Sequence, residues 1–147
     1  MVNVEASKIL LVEDDPNDVE LIRLAFADYN FINQMDVVED GEEALAYLHG
    51  TAERDPQPVP RLVLLDLKLP KLSGIKVLEQ IRNHPRTQAL VVVVMTSSEE
   101  ERDLESCYAL GVNSYIVKPL DFQQFVDVSQ KVGVYWMMLN HIPKSFL

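Results

Sequence analysis

The chain has 147 residues, 48% of them hydrophobic, with a formal charge of −10 and a single cysteine, Cys107. That length suits one domain with its own core, and a lone cysteine excludes an internal disulfide or a cysteine-rich zinc site. The acidic balance argues against nucleic acid as a direct partner, because phosphate contacts draw on lysine and arginine clusters that the sequence does not contain.

The opening stretch, MVNVEASKILLVEDD, has no basic segment followed by a long apolar run, which argues against a secretion signal. Nowhere does an apolar run approach the roughly 20 residues of a membrane span, so a cytoplasmic location is expected. ILLV at 9–12 reads as a first strand. Asp15 before Pro16 has the pattern of an N-cap with proline at N1, and Val19, Ile22, Phe26 and Tyr29 then share one helical stripe. MDVVED at 35–40 is a weaker strand, followed by a short helix through Ala44, Leu45 and Leu48. Residues 50–60, GTAERDPQPVP, carry three prolines and no periodicity, and read as a loop.

LVLL at 62–65 is the next strand, and Ile75, Leu78 and Ile81 mark a helix that ends at His84 before Pro85. LVVVVM at 90–95 follows. Ser98 and Glu101 have capping-box spacing ahead of a helix carrying Leu104, Cys107, Tyr108 and Leu110, with Gly111 as its C-cap glycine. YIV at 115–117 is the last strand. Asp121 and Gln124 cap a final helix whose Phe122, Phe125, Val132, Trp136 and Leu139 lie near one face, while Val134, Tyr135, Met137 and Met138 add apolar surface on another. Gly133 costs about 1 kcal/mol in a helix interior, so the segment is expected either to bend there or to continue only when packed.

Continuous, valine-rich strands suit a parallel sheet covered on both faces, and their alternation with helices implies right-handed crossovers in a doubly wound α/β fold. The expected organisation is one domain over 1–147, with a core of about 8–130 and a helical extension of about 131–147. In such sheets the binding crevice lies outside the carboxyl ends of the strands. Those ends carry Glu13, Asp14 and Asp15 after the first strand, Asp66 after the third, Thr96, Ser97 and Ser98 after the fourth, and Lys118 and Pro119 after the fifth. Clustered carboxylates raise one another's pKa unless a cation intervenes, and oxygen-only ligands suit Mg²⁺. A lysine and a threonine hydroxyl opposite them suit a phosphoryl group, and a carboxylate such as Asp66 can be the nucleophile that receives it.

ILLVEDDPND, LVLLDLKLPKLSG, VVVMTSS and YIVKP, in that order and at those separations, resemble the receiver domain of two-component response regulators. The resemblance implies a flavodoxin-like five-stranded sheet of order 2-1-3-4-5. It implies that Asp66 accepts a phosphoryl group from a histidine kinase, catalysing no turnover beyond its own phosphorylation and dephosphorylation. Glu13, Asp14, Asp66 and the backbone carbonyl of Lys68 would hold Mg²⁺, and Lys118 would contact the phosphoryl oxygens. Thr96 would be the switch hydroxyl, Tyr115 the aromatic that reports the state, and Lys118–Pro119 a cis bond. Pro70 and Gly74 match the loop after the acceptor.

The tail and the proline-bearing loop resemble the single-domain regulators that accompany bacterial phytochrome kinases. That implies a phytochrome-type kinase as donor, a homodimer through the last helix, and no effector domain after residue 147. Two rival classes are weighed. An aspartate-nucleophile phosphohydrolase would carry a second acid where Lys68 stands, and so would lack its proton carrier. A receiver-shaped interaction module that is never phosphorylated, or a flavodoxin-like cofactor binder, is the other. His49, His84 and His141 look scattered, and Cys107 reads as a small buried hydrophobe.

Overall fold

A computed structural model describes residues 8–29 and 34–146. Five strands form one sheet: β1 (Ile9–Val12), β2 (Met35–Val38), β3 (Leu62–Leu65), β4 (Val92–Thr96) and β5 (Ser114–Val117). All neighbours pair in parallel, in the order β2-β1-β3-β4-β5. Five helices connect and follow them: α1 (Pro16–Phe26), α2 (Gly41–His49), α3 (Gly74–Asn83), α4 (Glu101–Ala109) and α5 (Phe122–Val134). The expected doubly wound fold and strand order are therefore observed.

The central strands are apolar at every position but Thr96, the last residue of β4, because both faces are covered. Ile9, Leu11, Leu62, Leu64, Val91 and Val93 face one core with α1 and α5, through residues such as Ile22, Phe26 and Phe125. Leu10, Val12, Val63, Leu65, Val92 and Val94 face the other, against α2 and α3. Each such fully buried side chain contributes about 1.5–3 kcal/mol. No helix among the described residues is long and apolar enough to cross a membrane.

Local chemistry sets the helix ends. Asp15 caps α1 by accepting from the Asn17 amide, with Pro16 at N1, and Asp121 caps α5 by accepting from the Gln124 amide. Gly111, at φ 72°, follows α4 in the left-handed conformation that glycine adopts without cost.

Four expectations are corrected. Ser98 is not the cap of α4, which begins at Glu101 and whose N-cap, Glu100, makes no side-chain cap bond. The Ser98 hydroxyl instead donates to Asp103 at 2.5 Å and accepts from the Glu100 amide. Tyr108 faces solvent rather than the core, because α4 covers the edge of the sheet and buries little beyond Cys107. β4 starts at Val92, not Leu90: the Leu90 amide closes a turn onto Thr87, and its carbonyl accepts from Arg82 at 2.8 Å. Finally, every peptide bond of the described residues is trans, Lys118–Pro119 included. The trans form of an X–Pro bond is favoured by about 0.5–1 kcal/mol unless packing opposes it, and Leu120, next in the chain, is fully exposed with nothing to pack upon.

The last helix departs from expectation only beyond Val134. α5 continues through Gly133, which is packed and buried, the second of the two expected outcomes, and from Tyr135 to Leu139 the coil widens to a π-helical turn closed by the Asn140 amide on the Tyr135 carbonyl at 2.7 Å. Widening shifts the helical phase, so Met137 turns inward and Leu139 outward. The chain then leaves the helix, making one 3₁₀ turn at Lys144–Phe146. Arg61, itself buried, grips the widened turn by donating to the carbonyls of Trp136 and Asn140 at 3.4 and 2.9 Å. Much of the tail's apolar surface is thus covered by its own chain, through Trp136, Met137 and Ile142, and Tyr135, Met138, Leu139 and Phe146 remain exposed.

Candidate functional site

Parallel strands in adjacent places bring their carboxyl ends to one edge. Backbone hydrogen bonds carry the ladder one residue past each strand, from Glu13 to Val38, from Asp66 to Val12 and from Lys118 to Thr96, at 3.0, 3.1 and 2.8 Å. These bonds fix the three residues whose side chains then converge. The turn behind Asp66 is equally tight: the Gly74 amide donates to Leu67 at 2.9 Å, and a Cβ at position 74 would stand 2.6 Å from the Leu67 Cα and strike the Asp66 carbonyl. Only glycine fits there.

Lys118 is the centre of the cluster. Its ammonium donates to Glu13 Oε1 at 2.6 Å, to Asp18 Oδ2 at 2.7 Å and to Asp66 Oδ2 at 2.9 Å. Groups 105 and 52 residues away in sequence thus meet on one nitrogen. Asp66 Oδ1 also accepts from the Lys68 amide at 3.3 Å, and Glu13 Oε2 from the Asp15 amide at 3.3 Å. Glu13 is 2% exposed and Asp66 8%, whereas Asp14 faces solvent.

Burial pushes the Glu13 carboxyl up to about 7, against the opposing pull of Lys118 and with some help from the charge on Asp66. Burial acts on Asp66 in the same sense, but the hydrogen bond and charge of Lys118, together with bonds from Glu13 and the Lys68 amide, outweigh it and hold Asp66 below the usual carboxylate range. The two carboxyls therefore behave as a pair in which Glu13 keeps a proton more readily and Asp66 stays ionised. Lys118 is held above its ordinary value: burial would lower it, and the bonds to Asp18, Glu13 and Asp66 more than compensate.

Glu13, Asp14 and Asp66 offer oxygens that all lie within 4.8 Å of one another. Three carboxylates, Glu13, Asp18 and Asp66, share one lysine, and Asp14 adds a fourth negative charge beside them. This shortfall of positive charge, and an all-oxygen donor set free of His and Cys, fit a hard divalent cation.

Thr96, fully buried at the end of β4, accepts from the Ser98 amide at 3.3 Å. Tyr115 donates from its hydroxyl to the Ser98 carbonyl at 3.0 Å, so both residues meet the same short loop. Asp15 stands apart as the helix cap. Asp18 was not anticipated. It is the N3 residue of α1, three places after the cap, and that spacing on a helix starting at the sheet edge is the signal that could have found it. His49 and His84, scattered in sequence, in fact stack with ring centroids 4.0 Å apart, away from the acidic edge.

A doubly wound sheet with paired acids, a strand-end aspartate and a lysine in one cluster, and a buried threonine at the end of the neighbouring strand, has the features of the receiver class. Residues 9–130 match the response regulator receiver domain, and the chain belongs to that family of two-component signalling proteins. Among its relatives are the probable methanogenesis regulatory protein FilR2 of Methanothrix harundinacea, 41% identical over 92% of this chain and 86% of that one, and the response regulator Rcp1 of Synechocystis, 33% identical over 93% of each. The crystal structure of Rcp1 in its Mn²⁺-bound form superposes with a TM-score of 0.87 over 93% of this chain and 99% of that one. The phosphorylated cyanobacterial phytochrome response regulator RcpA, 36% identical, superposes with 0.88 over 94% and 99%.

Proposed function

We propose that this chain is the phosphoacceptor of a two-component pathway and that Asp66 is its nucleophile. An Asp66 carboxylate oxygen attacks the phosphorus of a kinase phosphohistidine. The P–N bond breaks, a P–O bond forms, and the imidazole leaves with the electron pair and takes up a proton. The observation that carries this reading is the Lys118 ammonium on Asp66 Oδ2, which keeps the carboxylate ionised and presents a positive charge where the phosphoryl oxygens arrive.

Glu13, Asp14, Asp66 and the carbonyl of Lys68 would hold Mg²⁺, which when bound neutralises charge on the carboxylates and phosphoryl group. Phosphorylated Asp66 then draws the Thr96 hydroxyl and the Lys118 ammonium toward it. Because Thr96 and Tyr115 both bond the loop at Ser98, a shift of Thr96 re-weights that loop and the start of α4 between two states. Likeness to RcpA supports a phytochrome-type histidine kinase as donor. The exposed Tyr135, Met138 and Leu139 support a homodimer through the last helix, within a cytoplasmic protein that signals by partner binding and not by contact with nucleic acid.

The test is intact-mass measurement after incubation with acetyl phosphate and Mg²⁺, and with purified histidine kinases. The wild type gains one phosphoryl mass and Asp66→Asn gains none; phosphorylation of the variant to the same extent refutes the assignment. Turnover of p-nitrophenyl phosphate would instead support the phosphohydrolase reading.

A further inference from the structure

Lysine has three ammonium protons, and all three of Lys118 are taken by carboxylates: Glu13, Asp18 and Asp66. A lysine so engaged has no donor left for a phosphoryl oxygen. One partner must let go when a phosphoryl group arrives on Asp66. Asp66 itself carries the group. Glu13 is 2% exposed, is held also by the Asp15 amide, and belongs with Asp14 and Asp66 to the set whose oxygens lie within 4.8 Å. Releasing it would leave a buried carboxylate without its lysine, the costliest of the three exchanges.

Asp18 differs on each count. It stands outside that acidic set, on the first turn of α1, and its side chain is 19% exposed. It borders an open hollow of about 260 Å³, shared with Leu21, Pro119, Phe122 and Phe125, from which water can replace the lysine. The N-terminus of α1 also favours a negative charge there when the lysine leaves.

We propose that Asp18 is a positioning residue for phosphoryl binding: the counter-ion that Lys118 exchanges for a phosphoryl oxygen, so that Asp18 competes with the acyl phosphate for the lysine and sets the affinity of the site. The inference rests on Asp66 being the acceptor, as proposed above. Loss of the Asp18 charge leaves Lys118 two carboxylates instead of three and lowers what the phosphoryl group must displace.

The full chain at saturating Mg²⁺ is titrated with beryllofluoride, a phosphoryl mimic, and followed by NMR of the backbone amides and of the Lys118 ammonium. Asp18→Asn is expected to bind about three- to tenfold tighter than wild type, while Asp18→Glu, which keeps the charge, binds within about twofold. Mg²⁺ affinity, measured separately, is expected to change by less than about twofold in both. The Lys118 ammonium signal of Asp18→Asn should move in the direction that beryllofluoride moves it in wild type. That is a readout which a merely helix-stabilising role for Asp18 would leave unchanged. A folded Asp18→Asn that binds no tighter, or whose Lys118 signal stays in place, overturns the assignment. Failure of the wild type and all variants to bind beryllofluoride overturns the acceptor reading, and this inference with it.

Discussion

Replacing Lys118 with methionine keeps most of the side-chain volume and deletes the charge. In the wild type this ammonium, with its side chain 10% exposed, neutralises Glu13 and Asp66, whose side chains are 2% and 9% exposed. Removing one partner of a buried ion pair costs about 3–5 kcal/mol. Part of that is recovered here, because Glu13 already keeps its proton up to about pH 7 and will hold it more firmly without the lysine. A net loss of about 2–4 kcal/mol at pH 7.5 without metal follows. For a urea m-value of about 2 kcal/mol per molar, the unfolding midpoint falls by roughly 1–2 M. Mg²⁺ supplies the missing positive charge, so it should stabilise Lys118→Met more than it stabilises the wild type. Urea titrations in EDTA and in millimolar Mg²⁺ measure both effects. A variant within about 0.5 kcal/mol of wild type in EDTA, or an equal Mg²⁺ gain in the two proteins, would refute the view that these carboxylates depend on Lys118.

Gly74→Ala should lose about 1–3 kcal/mol and slow phosphorylation by acetyl phosphate, because the added methyl strikes the backbone of Asp66 and Leu67; a variant with wild-type midpoint and rate would show that the loop yields freely. His49 bonds Thr87 Oγ1 at 2.8 Å and stacks on His84, and burial, then the nearby charges of His84 and Arg86, lower its pKa to about 4. Its folded value lies below the unfolded one, so its contribution is present above about pH 6.5 and is lost as pH falls toward 4. Discounted for its partial exposure this is about 1 kcal/mol, and urea midpoints of His49→Gln should fall less than those of wild type over that range. Arg61→Ala should cost about 1.5–3 kcal/mol and speed hydrogen exchange at Met138 to Asn140, while Asp66 still accepts phosphate; unchanged exchange would mean that the guanidinium does not hold the tail.

Much of this architecture is legible in the sequence because each central strand is covered on both faces, and only continuous apolar runs such as LVLL and VVVV satisfy that. The strand-end groups were legible for the same reason: a polar residue after such a run has to leave the core at the sheet edge. What stayed hidden depends on contacts between distant segments. Asp18 looks like an ordinary first-turn acid until the Lys118 ammonium is set 2.7 Å away. The widened turn at Tyr135 to Leu139 has no composition signal of its own; its carbonyls find Arg61 only after the chain has folded back. Tyr108 misleads because helical periodicity gives the direction of a stripe but not the width of what covers it. The isomer at Pro119 depends on local packing, and a short motif does not contain the neighbours that decide it.

Arg61 immediately precedes β3 and Asp66 immediately follows it. Four residues of strand, about 13 Å long, therefore form a stiff strut with the tail's anchor at one foot and the acidic edge at the other. A load applied to the carboxy-terminal turn meets one of the most deeply enclosed strands among the described residues, with the carboxylate at its far end.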